Sequence, residues 1–256
     1  ELKAKDRLLF QQSKMASMGE MIGNIAHQWR QPLSVISTCA SGIKFEKEFN
    51  EIKDDRLYEA LDLIVENTQY LSKTIDDFRN FFKADKQIED FCVNDSILKV
   101  LKLLKSSIQN HNIEVETCFD GELIINGYPN EFLQVLINIL NNSKDALLNQ
   151  DKNTRFISIK TYIDNKNCVL EVSDNGGGID ETIISKIFDP YFTTKHKSQG
   201  TGIGLYMSHQ IVVEHMKGNI SVKNIEIIKN KKVYKGCSFI ISLPIIEKNN
   251  LEDYII

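Results

Sequence analysis

No apolar run in this 256-residue chain approaches the ~18–20 residues that span a bilayer. No charged-then-apolar leader opens it either. A basic excess is missing: Lys and Arg number 31 against 35 Asp and Glu, a formal net charge of −4, which argues against a general nucleic-acid binder. The five cysteines (Cys39, Cys92, Cys118, Cys168, Cys237) are odd in number, scattered, and nowhere paired as C-x-x-C. That speaks against a disulfide framework or a zinc site and for a reducing compartment. What the chain does have is 42% hydrophobic and 26% charged residues, enough to bury a core. Its length suits one large domain or two small ones. It opens on Glu1 and not Met, so a piece of a longer protein is expected.

The first third is poor in helix breakers. From Leu2 to Lys83 there is one proline, Pro32, and there are three glycines, Gly19, Gly23 and Gly42. Apolar residues recur at helical spacing through Met15, Met18, Ile22, Ile25, Trp29, Leu33 and Ile36, and again through Leu57, Leu61, Ile64, Leu71, Ile75, Phe78 and Phe82. The polar stretch from Asn50 to Asp55 reads as the turn between two long helices, with Asp54 or Asp55 as N-cap. A hairpin that slender cannot bury both apolar stripes alone, and pairing of two copies into a four-helix bundle is the expected remedy. Pro32 removes a hydrogen bond to the carbonyl of Gln28 and should bend the first helix there.

Lys83–Gln87 reads as a linker, and beyond it helices and strands mix. Asn94 is expected to cap a helix running to Asn110. Ile113–Phe119 and Leu123–Asn126 read as strands. Pro129 suits the first turn of a helix continuing to Leu148. Arg155–Tyr162 and Asn167–Ser173 alternate as strands around an Asp164-Asn165-Lys166 turn, Ile203–Met216 is amphipathic, and Asn219–Ile228 with Lys232–Leu243 forms a closing hairpin. Helices on a mostly antiparallel sheet imply a two-layer α/β sandwich. The expected fold is therefore multi-domain, α plus α/β. Residues 1–86 form the hairpin, 87–247 the sandwich and 248–256 a tail.

Two glycine clusters lie in the second part. Asp174-Asn175-Gly176-Gly177-Gly178 follows a strand, and Gly200-Thr201-Gly202-Ile203-Gly204-Leu205 precedes a helix. A glycine-rich turn entering a helix offers free N–H groups to an anion, although such a cluster alone is a weak signal. It is neither a Rossmann fingerprint nor a Walker loop. Between Pro129 and Leu148, Asn138, Asn142 and Asp145 share one helix face in an otherwise apolar sequence. Such a face is costly unless it meets water, a ligand or a metal, and its oxygens suit Mg²⁺.

Five segments together resemble the bacterial sensor histidine protein kinases of two-component systems, from Ser13 to Pro244. An H-box runs from Ile25 to Leu33 and an N-box from Asn138 to Ala146. A G1-box runs from Asp174 to Gly178, an F-box from Ile187 to Lys195 and a G2-box from Gly200 to Gly204. The resemblance implies a dimerisation hairpin followed by an ATP-binding sandwich of the Bergerat type, shared with type II topoisomerases and a chaperone family. It implies ATP-dependent phosphorylation of His27 and transfer to an aspartate on a response regulator receiver domain, with ATP and Mg²⁺ as cofactors. It also implies a homodimer placed in the cytoplasm, with room for a membrane sensor upstream.

The resemblance distributes roles among the residues. His27 is the phosphoacceptor, a neutral imidazole being nucleophilic near its reference pKa of ~6.5. Gln28 stands where most members carry an acid, so it can orient the ring but cannot act as a base, which leaves phosphatase activity in doubt. Asp174 accepts the adenine amine, while Gly176 and Gly178 let the backbone pass close to the base. Asn142 is the metal ligand. Asn138 replaces the water-activating Glu of the related ATPases, which favours transfer to a protein His over hydrolysis. Lys144, Asp145, Thr194, Lys195, Gly200, Thr201, Gly202, Gly204 and Leu205 complete the nucleotide contacts, and Thr193 to Gly202 form a mobile lid. Phe188, Tyr191 and Phe192 are expected to pack and His196 to be solvated in the lid, while His111, His209 and His215 read as structural or surface residues, since no acidic or Cys partners sit at metal spacing.

Overall fold

The computed structural model describes residues 15, 19, 26, 29–49, 54–82, 87–194, 202–229 and 231–246. The chain falls into two compact units, Met18–Ala84 and the part from Asp85 onward.

In the first unit, residues 29–48 form helix α1 and Asp54–Phe82 form helix α2. Pro32 sits near the start of the described α1, and the bend expected at Gln28 lies outside the described residues, as does His27. Asp54 and Asp55 occupy the first turn of α2, where acidic side chains complement the helix dipole. Arg56 pairs with Glu46 at 3.0 Å, and the Phe45 and Phe49 rings meet tilted, with centroids 4.7 Å apart. Leu33 and Leu61 of the apolar stripe are exposed, Trp29, Ile36, Leu57, Ile64 and Leu71 are half-buried, and Leu63 and Val65 off the stripe are exposed too.

The second unit begins with strand β1 (Glu89–Cys92), helix α3 (Val93–Asn110), strands β2 (Glu114–Phe119) and β3 (Ile124–Gly127), and helix α4 (Pro129–Leu147). Strands β4 (Phe156–Asp164) and β5 (Asn167–Asp174) follow, then a 3-10 turn at Ile184–Lys186 and helix α5 (Gly204–Gln210). A π turn (Ile211–His215) and strands β6 (Asn219–Lys229) and β7 (Lys232–Pro244) close it. Five strands form one sheet in the order β2-β4-β5-β7-β6, with β2 and β4 parallel and the other neighbours antiparallel; β1 and β3 pair separately. Alternation along the strands buries Ile157, Ile159, Leu170, Val172, Phe239 and Ile241, while Lys160 on the intervening face is exposed. Pro129 opens α4, where its missing N–H leaves no hydrogen bond unmade, and Phe132, Val135, Leu136, Ile139 and Leu140 of that helix are all buried. All five cysteines are free. No helix of the described residues is long and apolar enough to cross a membrane.

Three local expectations change. Asn94 does not cap α3; the cap position is Cys92. Its amide instead donates to the Gly121 carbonyl at 2.7 Å and accepts from the Thr161 hydroxyl at 2.8 Å, because a buried amide satisfies itself across the fold when the helix starts two residues earlier. The helix expected over Ile203–Met216 is α-helical only to Gln210 and then widens, with the Met216 N–H donating to the Ile211 carbonyl. Strand β1 is added: four residues give too short an alternation to show in sequence, and the strand exists because β3 pairs with it.

Candidate functional site

The site is built around α4. Its polar positions meet both glycine clusters. At one end of the contact the Asn138 amide donates to the Gly204 carbonyl at 3.1 Å and lies 3.3 Å from the Ser208 hydroxyl, fixing the start of α5 against α4. One turn on, Asn142 and Asp145 are half-buried on the same face. Lys144 donates to Asn141 at 3.2 Å and lies 3.8 Å from the Asp145 carboxylate, so its ammonium is held against its own helix.

The other contact joins α4 to the end of β5. Register pairs Asp174 with Ile157 on β4 and with Cys237 on β7, which places the carboxyl on the helix-facing side of the sheet. It is 1% exposed. The Ser143 hydroxyl donates to Oδ2 at 2.8 Å and the Cys237 thiol donates to the same oxygen at 3.4 Å. The Gly176 N–H donates to Oδ1 at 2.9 Å. Burial raises the Asp174 pKa above the ordinary carboxylate value, and the hydrogen bonds from Gly176, Ser143 and Cys237 oppose that rise. Burial and the adjacent Asp174 also push the Cys237 pKa up, so the thiol stays protonated and remains a donor.

Gly176 and Gly202 are among the glycines whose place leaves no room for a side chain. A Cβ on Gly176 would lie 2.6 Å from the Ala146 Cβ and 2.9 Å from Asp174 Oδ1. A Cβ on Gly202, whose φ is +66°, would lie 2.4 Å from the Tyr191 carbonyl carbon. Gly202 thus presses the end of the second glycine cluster against the F-box backbone. Tyr191 itself has φ +66° and a ring 56% exposed, so within this segment it presents its backbone and not a packing side chain. Phe188 does pack, with its centroid 5.5 Å from the ring of His209.

A buried acidic acceptor, a glycine-cleared approach and a polar helix face meeting two loops suit a purine nucleotide with its phosphates. Residues 127–247 match the family described as histidine kinase-, DNA gyrase B- and HSP90-like ATPases, and residues 17–87 match the His Kinase A phospho-acceptor domain. A solved catalytic domain of histidine kinase ThkA shares 30% identity at a TM-score of 0.53, over 62% of this chain and 95% of that one. The chain belongs to the sensor histidine kinases of two-component systems. It is 30% identical over 245 residues to the two-component sensor PprA of Pseudomonas aeruginosa, which is 93% of this chain and 25% of that protein. ThkA in complex with response regulator protein TrrA shares the fold at a TM-score of 0.50 and 23% identity, over 94% of this chain and 65% of that one. The chain spans a quarter to under half of the length of the curated relatives it matches.

Within the family pattern the chain carries a phosphoacceptor hairpin followed by an α/β ATP-binding domain, the core of a protein-histidine kinase, and that domain implies use of ATP. The structure brings Asn138, Asn142, Lys144, Asp145, Asp174, Gly176, Gly178, Gly202, Gly204 and Leu205 into one domain, with α4 as the common element. Thr194 is exposed at the end of a described segment, and Gln28, Lys195, Gly200 and Thr201 lie outside the described residues. Ser143, Ser208 and Cys237 were not legible as site residues. Ser143 did carry a signal, being a hydroxyl beside Asn142 in an apolar helix, whereas Cys237 carried none. His215 has a structural contact, its Nδ1 lying 2.5 Å from a Glu131 carboxylate oxygen. Among the described residues no group of three or more His, Cys, Asp or Glu could hold a metal.

Proposed function

We propose that the chain is the catalytic core of a homodimeric sensor kinase. In this reading ATP phosphorylates His27, and the phosphoryl group passes to an aspartate of a response regulator receiver domain. The buried Asp174 carboxylate at the meeting of α4, β5 and β7 carries the reading, since it is an acceptor placed to take an amine and reject a carbonyl. Gly176 and Gly178 clear the approach to the base. Asn142 would hold Mg²⁺, which when bound neutralises charge on the phosphates. Asp145, Lys144, Lys195 and the glycines from Gly200 to Gly204 are the remaining proposed phosphate and lid contacts.

In the transfer, a bond forms between an imidazole nitrogen of His27 and the γ-phosphorus. The bond from that phosphorus to the bridging oxygen breaks and ADP leaves, and the proton on the other ring nitrogen passes to water. Gln28 orients the ring by accepting a hydrogen bond. Asn138 supports transfer over hydrolysis: its amide is engaged with Gly204 and Ser208, and an amide takes no proton from water at neutral pH. In the second step the P–N bond breaks as a receiver carboxylate attacks.

The homodimer is supported by the exposed apolar side chains of α1 and α2, which a single hairpin leaves in water. Within the chain we assign residues 1–86 to the phosphoacceptor hairpin, 87–247 to the ATP-binding domain and 248–256 to a tail. The location proposed for this part is cytoplasmic. The test is incubation of wild type and His27→Ala with γ-labelled ATP and Mg²⁺. Acid-labile, alkali-stable label on wild type alone is the expected result. Free phosphate without protein label in either would identify an ATPase instead.

A further inference from the structure

We propose that Ser143, with Cys237, is a positioning residue that sets which purine the site accepts, by holding the Asp174 carboxylate as an acceptor with Oδ1 turned to the base. The proposal rests on the nucleotide-binding reading above.

The geometry divides the carboxylate into two unlike oxygens. Oδ2 takes both side-chain donors, Ser143 from α4 at 2.8 Å and Cys237 from β7 at 3.4 Å. Oδ1 takes the Gly176 N–H at 2.9 Å, the Cys237 backbone N–H also faces the carboxylate, and each carboxylate oxygen has about two lone-pair positions. The free acceptor position is therefore on Oδ1, the oxygen beside the glycine turn. Donors on α4 and β7 pin the other oxygen from two sides, so rotation about the Cβ–Cγ bond would break both bonds at once.

An ionised carboxylate accepts from the 6-amino group of adenine and repels the 6-oxo group of guanine. A protonated carboxyl could turn its O–H to that carbonyl and accept guanine. Asp174 is buried, which favours the protonated form, and its surroundings supply only neutral donors against that tendency. Cys237 of β7 is the titratable group against it, α4 presents Ser143 and Ala146, and the following loop presents Gly176. Ser143 is the strongest of the side-chain donors, since a hydroxyl hydrogen-bonds better than a thiol. Removing it both frees the rotation and eases protonation, and both changes erode adenine preference.

The experiment is calorimetric titration of the full chain with ADP and with GDP, at pH 7.5 and pH 6, for wild type, Ser143→Ala, Ser143→Thr and Cys237→Ala. The expected result is that Ser143→Ala weakens ADP about tenfold and leaves GDP unchanged or improved, as befits one hydrogen bond to a charged group. The ADP/GDP ratio then shrinks further at pH 6. Ser143→Thr retains the wild-type ratio, and Cys237→Ala follows Ser143→Ala by a smaller factor. In label incorporation, Ser143→Ala raises the KM for ATP and spares kcat. An unchanged ADP/GDP ratio in Ser143→Ala overturns the proposal, as does a parallel fall of both nucleotides, which is what simple loss of folding gives. Wild type that binds ADP but never labels His27 sinks the kinase reading and leaves this inference standing. Wild type that binds neither nucleotide sinks both.

Discussion

Arg155 tests whether the end of α4 is held by one side chain. It is 7% exposed, and its guanidinium makes four hydrogen bonds to three carbonyls. Nε and Nη2 donate to Gln150 at 3.1 and 2.9 Å, Nη2 also to Leu148 at 2.8 Å, and Nη1 to His111 at 3.0 Å. These carbonyls belong to the segments that follow α4 and α3, so the planar fork ties two helix exits to the start of β4. The next residue, Phe156, donates its N–H to the Asn175 side chain at 2.9 Å, so the tie continues into the first glycine cluster. Hydrogen bonds from a charged donor contribute ~1.5–3 kcal/mol each, but two of these share one carbonyl and the vacated space admits water. Three carbonyls left to weak hydration at ~1 kcal/mol apiece give a loss of ~3 kcal/mol for Arg155→Ala. At ~2–4 °C per kcal/mol, the melting transition of the ATP-binding domain should fall by ~6–12 °C. Arg155→Lys, with a point charge that cannot span three acceptors, should fall about half as far. Differential scanning calorimetry of the full chain reads both. A loss below ~1 kcal/mol for Arg155→Ala, within the range of ordinary surface substitutions, would refute the reasoning, as would Lys serving as well as Arg.

Two further outcomes follow from the site. For Asp174→Asn, the folded-state pKa of the native acid is raised, so the native protein holds its proton longer than the unfolded chain. Stability linked to this group is therefore greatest below the unfolded carboxylate range and is lost as pH rises through the folded pKa. Asn abolishes that loss, so the pH dependence of the melting temperature should flatten between the unfolded carboxylate range and the folded pKa while ADP binding weakens by about 10–100-fold, and a steeper profile would contradict it. For Gly202→Ala, the new methyl group would sit 2.4 Å from the Tyr191 carbonyl carbon in a left-handed backbone, so the two segments must separate. The KM for ATP should rise about tenfold or more with little change in melting temperature, and an unchanged KM would count against any nucleotide role for this approach.

Helical spacing, the clustered glycines and the amide-bearing face of α4 were all readable because each is a local pattern. Period and turn chemistry act over a few residues and leave their trace in order along the chain. The sheet pairing was not readable in the same way. β1 is too short to alternate visibly, and the parallel pairing of β2 with β4 depends on a connection through β3 and α4. The widening after Gln210 likewise has no signal in composition. It accompanies the approach of His215 to Glu131, which is 84 residues distant in sequence.

The sequence by itself determined the order of the motifs, the hairpin and the sandwich, and its resemblance to the family singled out Asp174 as the proposed acceptor. Only the tertiary structure decided what surrounds that acceptor. Ser143 and Cys237 reach it from α4 and β7, 31 and 63 residues away. The reason is physical: a buried carboxylate must find its donors wherever the fold brings them, and register across the sheet, set by burial of the alternate faces, chose which ones.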